Sequence, residues 1–171
     1  MSTVPERTLN WLYSVLTSEY HDVNRTYADV AATLSHYSSL KPRTEVYSSG
    51  SSALLLRLSG TLPVTFRGAT YRFPITIWIP HAYPREAPLL YVTPVQGMVL
   101  VPGNYVGSEG RVYHRYLAQW AEYWDRSSII DFLDILRGIF AKEAPVRTQQ
   151  QDGFGQQLQR GAEPTPPPLP P

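Results

Sequence analysis

At 171 residues the chain has room for one ordinary domain and a tail. Its charges nearly cancel, 15 Lys and Arg against 14 Asp and Glu with no basic run, so it lacks the electrostatic footprint expected of a partner for nucleic acid or anionic lipid. There is no cysteine, which excludes disulfides, thiolate metal sites and thiol nucleophiles together.

Residues 1–20 mix polar and apolar side chains without the basic start and apolar core of a signal peptide. The longest purely apolar runs, such as Ala53 to Leu56, fall far short of the ~20 residues that cross a bilayer. A soluble cytosolic protein with no direct membrane insertion is expected. The first helix is predicted after Pro5 and Glu6, with Leu9, Leu12, Tyr13 and Leu16 at helical spacing. A second carries Tyr27, Val30, Ala31 and Leu34, with Thr26 and Asp29 as a capping box, and Pro42 closes the helical region.

Strands follow. Arg43 to Ser48 and Ala53 to Ser59 flank a turn-rich Ser-Ser-Gly-Ser-Ser segment, with Leu54, Leu56 and Leu58 on one face and Leu55 and Arg57 on the other. Leu62 to Phe66 and Tyr71 to Ile79 are joined by Arg67-Gly68-Ala69, and Leu89 to Val92 lies between Pro88 and Pro94. These make an antiparallel meander. Pro94 to Trp124 reads as irregular, and a last helix runs from about Ser127 to Lys142. In it, Ser128 and Asp131 form a capping box and Ile129, Phe132, Leu133, Leu136 and Phe140 form the buried stripe. Asp125, Asp131 and Asp134 are expected to solvate or cap this helix. Six of the 16 prolines occupy the last eight positions, so residues 149–171 are expected to be a disordered or polyproline tail following a domain at 1–148. The four histidines show no ligand spacing, and neither a metal nor a cofactor is expected.

The resulting fold class is α+β, a four-stranded antiparallel meander packed with helices. Tyr83-Pro84 with Pro88, followed by the Leu89 to Val92 strand, resembles the YPxxxP turn of the ubiquitin-conjugating fold. Gly110-Arg111-Val112-Tyr113, with Leu117 and Trp120, resembles that fold's active-site stretch. The positions of its His-Pro-Asn element fall at approximately Tyr105, Val106 and Gly107, and the cysteine position is Tyr113. Ubiquitin transfer by this fold needs a thiolate that is both nucleophile and leaving group. A phenol forms a poorly matched ester, and a missing oxyanion donor is typically worth about 3–4 kcal/mol. No catalytic residue is therefore expected.

Further matches lie at Ser59 to Val64, Phe66 to Tyr71, Pro74-Ile75, Leu40-Lys41-Pro42 and Ala144-Pro145-Val146. Over roughly residues 5–148 the chain resembles the ubiquitin-conjugating enzyme variant (UEV) domains of ESCRT-I subunits of the tumour-susceptibility-gene and fungal vacuolar-sorting kind. The resemblance implies a non-catalytic adaptor in endosomal, multivesicular-body sorting, cytoplasmic and recruited to the endosomal membrane. It implies peptide binding to Pro-Thr/Ser-Ala-Pro (late-domain) motifs at Thr61, Phe66, Tyr71, Met98, Ala144, Val146 and Thr148. It implies ubiquitin binding, including ubiquitinated cargo, at Val46, Ser48, Ser49, Gly50, Tyr91 and Thr93, and other ESCRT-I subunits as partners through regions beyond these residues. The fold also admits an inactive accessory subunit of a conjugating enzyme. Pro164-Thr165-Pro166-Pro167 matches the peptide motif at three of four positions, which raises self-binding of the tail beside a plain linker role.

Overall fold

The computed structural model describes residues 3–49 and 51–149. Gly50 and the tail with its Pro164-Thr165-Pro166-Pro167 motif lie outside the described residues, as does the side chain of Ser49. Helix α1 spans Glu6–Glu19 and α2 spans Val23–His36. Leu12 and Leu16 of α1 are buried, whereas Tyr13 stands half out and meets Tyr27 edge-on at 5.6 Å. The cap of α2 is Asp22, whose carboxylate accepts the Arg25 N–H at 3.0 Å. Thr26 is not the cap. It sits inside the first turn, where its hydroxyl donates to the Asp22 carbonyl at 2.6 Å, a local bond that suits a threonine buried within a helix.

The sheet has strand order β1-β2-β3-β4, all antiparallel. β1 is Lys41–Ser49, β2 is Ser51–Phe66, β3 is Ala69–Ile79 and β4 is Leu89–Val92. The two segments expected at Ala53 to Ser59 and Leu62 to Phe66 are one 16-residue strand. Gly60 does not break it. A Cβ there would stand 2.2 Å from the Ser39 carbonyl oxygen, so the glycine lets the chain entering β1 cross closely over the strand. Phe66 pairs with Ala69, leaving Arg67 and Gly68 as a two-residue turn with φ of 52° and 80°, the primed geometry that matches strand twist.

Helix α3, Arg115–Ala118, and strand β5, Met98–Leu100, fall in the stretch read as irregular. Helix α4 is Ile129–Lys142, capped by Ser128, whose hydroxyl accepts the Asp131 N–H at 3.1 Å. Its buried residues are the five of the predicted stripe. They pack α4 against β2 and α2, and α1 packs on α2, so the helices cover one face of the sheet. Tyr83, fully buried before a cis Pro84, donates its hydroxyl to Asp29, which also pairs with Arg25 at 2.7 Å. Arg25 donates in turn to the Ser127 carbonyl, joining α2, the proline turn and the start of α4.

Strand β6, Val146–Thr148, pairs with β5 in a separate two-stranded ladder just beyond α4. Two glycines then report opposite constraints. Gly60→Ala is expected to destabilise the domain by about 1–3 kcal/mol in urea unfolding, since backbone must move to admit the methyl. Gly138→Ala, in α4 with nothing within 4 Å of the added carbon, should stabilise it by about 0.5–1 kcal/mol.

Candidate functional site

Three stretches of chain converge beside the β2–β3 turn. β3 places Tyr71 and Phe73 two residues apart on its helix-covered face, with rings stacked at 6.2 Å and 10°. α4 supplies Phe140, whose ring meets that of Phe73 nearly edge-on at 5.6 Å and 81°. The β5–β6 ladder sets Met98 opposite Thr148 and Leu100 opposite Val146. Both ends of that ladder are tied, by Val101 N–H to the Pro145 carbonyl and Gln149 N–H to the Gly97 carbonyl, each at 2.7 Å.

The result is a groove of about 480 Å³ whose walls include Phe66, Tyr71, Met98, Ala144, Val146 and Thr148. Six of the seven expected peptide residues are thus brought together. Phe66 and Tyr71 keep 41% and 49% of their surface exposed, too much for core packing to explain their presence. Thr61 is not brought there. It pairs with Pro74 across the sheet, and its N–H and hydroxyl both donate to the Ser39 hydroxyl oxygen, at 3.2 and 3.1 Å. The Ser39 hydroxyl donates to the Thr61 carbonyl at 2.6 Å. Phe73 and Phe140 also line the groove and were not singled out for it. Counting by two from Tyr71 along the strand reaches Phe73; Phe140 carries only the signal of a core stripe.

The other face of the sheet carries an aromatic row. Tyr91 and Tyr47 share a hydroxyl hydrogen bond at 2.8 Å, and the Tyr47 ring lies 5.1 Å from Trp78. Arg57 stands 5.8 Å over Trp78 and pairs with Glu45 at 3.3 Å. Thr93, exposed, bonds through its hydroxyl to Thr76 at 3.2 Å. Val46 is not beside this row. It pairs with Leu54 on the opposite side of the β1–β2 hairpin, and the two are 57% and 53% exposed because the hairpin projects past the helices. Leu54 keeps the face it shares with Leu56 and Leu58 and is nevertheless exposed, while Leu55 on the other face is buried. Nearer the tip, Ser48 and Ser52 join hydroxyls at 3.2 Å. Tyr47, Trp78 and Leu54 are the residues of this region that sequence reasoning missed, although Trp78 shares the face of Thr76, opposite Tyr91 on β4.

Arg111 connects this row to a third depression. Its guanidinium lies 5.7 Å from the Tyr91 ring and 5.5 Å from the Tyr113 ring. Tyr113 is 54% exposed, and its N–H donates to the Tyr105 carbonyl at 2.8 Å. Val106 is buried and bridges to Val112. Asn104 lines the depression just ahead of the expected trio, so an asparagine is present near Tyr113 after all. Its side-chain amide is committed, donating to Glu143 at 2.8 Å.

The UEV domain profile matches residues 12–148. The chain belongs to the UEV domain family. It is similar to the human Tumor susceptibility gene 101 protein, 32% identical over 133 residues, which cover 77% of this chain and 34% of that protein. The chain spans about a third of the length of the human, mouse and rat relatives of this kind. Among solved structures it is similar to the yeast Vps23 UEV domain in complex with a Vps27 PSDP peptide, at TM-score 0.71 and 26% identity over 81% of this chain and 94% of that one. It is also similar to the Vps23 UEV in a complex with ubiquitin, at TM-score 0.69 and 28% identity over 84% and 99%.

This UEV domain has no cysteine with which to form a thioester. Next to Tyr113 the local structure serves the backbone: His114 Nδ1 accepts the Tyr116 N–H at 2.9 Å and caps α3. Burial first, then the charge of Arg115, lowers the His114 pKa below its ordinary value. Because the folded state favours the neutral ring, its contribution to stability holds above the unfolded pKa and is lost as pH falls through the folded one. An NMR titration is expected to place the His114 midpoint below 6.5, with the Tyr116 amide shifting in step. A midpoint at or above that value would refute the cap.

Proposed function

We propose that this UEV domain is a non-catalytic adaptor of ESCRT-I. It binds a Pro-Thr/Ser-Ala-Pro segment in the groove and ubiquitin on cargo through the open sheet face and the β1–β2 hairpin. Its place of work is the cytoplasmic side of the endosomal membrane, and further ESCRT-I subunits engage regions beyond these residues. Among the described residues no helix is long and apolar enough to cross a membrane, and recruitment through protein partners accords with that.

The observation that carries the reading is the groove. Two exposed rings, a methionine and small aliphatic side chains form a slot open at the surface and floored by Phe73 and Phe140. Proline rings suit such a slot, and a ligand already extended as polyproline II has little conformational entropy left to lose. The related Vps23 structures, one with a PSDP peptide and one with ubiquitin, support both halves. An accessory subunit of a conjugating enzyme would have no use for the groove.

Calorimetric titration with a Pro-Thr-Ala-Pro peptide and with ubiquitin tests the division of labour. Tyr71→Ala is expected to weaken the peptide by about 1–2 kcal/mol and leave ubiquitin unchanged. Tyr91→Ala should do the reverse. A folded variant of either kind that weakens both ligands alike would contradict the assignment.

A further inference from the structure

The groove is apolar on its floor but carries positive charge around its wall. Arg72, Lys142 and Arg147 belong to its lining, and the Arg67 guanidinium lies 5.0 Å over the ring of Phe66. Among the described residues, no acidic side chain lines it. Ion pairs among the described residues engage Arg25, Arg43 and Arg57, and none of these four cations. Glu143, the acid nearest in sequence to this wall, faces Asn104, accepting from its backbone and side-chain amides. In a chain whose total charge is +1, three cations lining one slot, with a fourth over its Phe66 ring, make a local field that its low-dielectric walls concentrate.

We infer that the groove discriminates by charge, selecting proline-containing peptides with an aspartate or glutamate between or directly beside the two prolines over their neutral counterparts. The inference rests on the peptide-binding reading of the groove and adds to it the class of ligand preferred. The carboxylate takes the place of counterions at the wall while the proline rings occupy the floor. Part of the preference is therefore long-range and sensitive to salt. Arg72 and Arg147 are specificity residues in this account. Both are exposed, on β3 and β6, so neutralising them leaves the core untouched.

Fluorescence anisotropy with three labelled ten-residue peptides of one flanking sequence, centred on Pro-Ser-Asp-Pro, Pro-Ser-Asn-Pro and Pro-Ser-Lys-Pro, tests this. The aspartate peptide should bind about 5- to 20-fold tighter than its asparagine isostere at about 25 mM salt, with the lysine peptide weakest. The ratio should shrink towards one at about 500 mM salt and in the triple variant Arg72→Gln, Lys142→Gln, Arg147→Gln. Equal binding of the aspartate and asparagine peptides by the parent would overturn the inference and leave the peptide groove standing. A preference that survived in the triple variant would also overturn it. If none of the three peptides, nor a neutral Pro-Thr-Ala-Pro control, bound at all, the groove itself would be refuted and the inference with it.

Discussion

The near-perpendicular contact between Phe73 and Phe140 sets where the groove lies. It fixes the C-terminal part of α4 against β3 and closes the core at the end of the sheet remote from the β1–β2 hairpin. The chain leaving α4 is thereby delivered to β5, where three residues on each side form the β5–β6 ladder. Tyr71, stacked on Phe73, then has a wall opposite it. The groove is a by-product of core packing: its floor is buried ring and its rim is whatever the turn and the ladder present.

The same sheet offers its other face separately. Along β3, Phe73, Ile75 and Ile77 turn to the helices, while Thr76 and Trp78 turn away. Tyr47, Trp78 and Tyr91 come from three different strands, so the row exists only because register aligns them. One scaffold thus holds the groove and the aromatic row without a shared side chain. Tyr113 has its backbone tied into a loop, and His114 caps a four-residue helix.

Much of this was legible in the sequence where local rules act alone. The buried stripe of α4 and its Ser128 cap follow from helical period and hydroxyl chemistry. The meander follows from alternation and turn residues. What escaped depended on long-range contact. Gly60 looks like a breaker until Ser39 is seen crossing it, so one long strand reads as two. Leu54 keeps its expected face yet stays exposed because a hairpin outruns the helices that would cover it. The β5–β6 ladder joins segments nearly fifty residues apart, and no local pattern announces it. Thr61 matched a motif, yet its hydrogen-bonding groups are taken by Ser39, a partner that only folding supplies.

The central claim is that two independent surfaces share this sheet. A two-ligand NMR titration tests it most directly. Saturating the labelled domain with a Pro-Thr-Ala-Pro peptide should move resonances around Tyr71, Met98 and Val146; adding ubiquitin should then move those around Tyr47, Trp78 and Tyr91, with the first set unchanged. Displacement of the peptide by ubiquitin, or shifts from both ligands at one set of residues, would contradict the account.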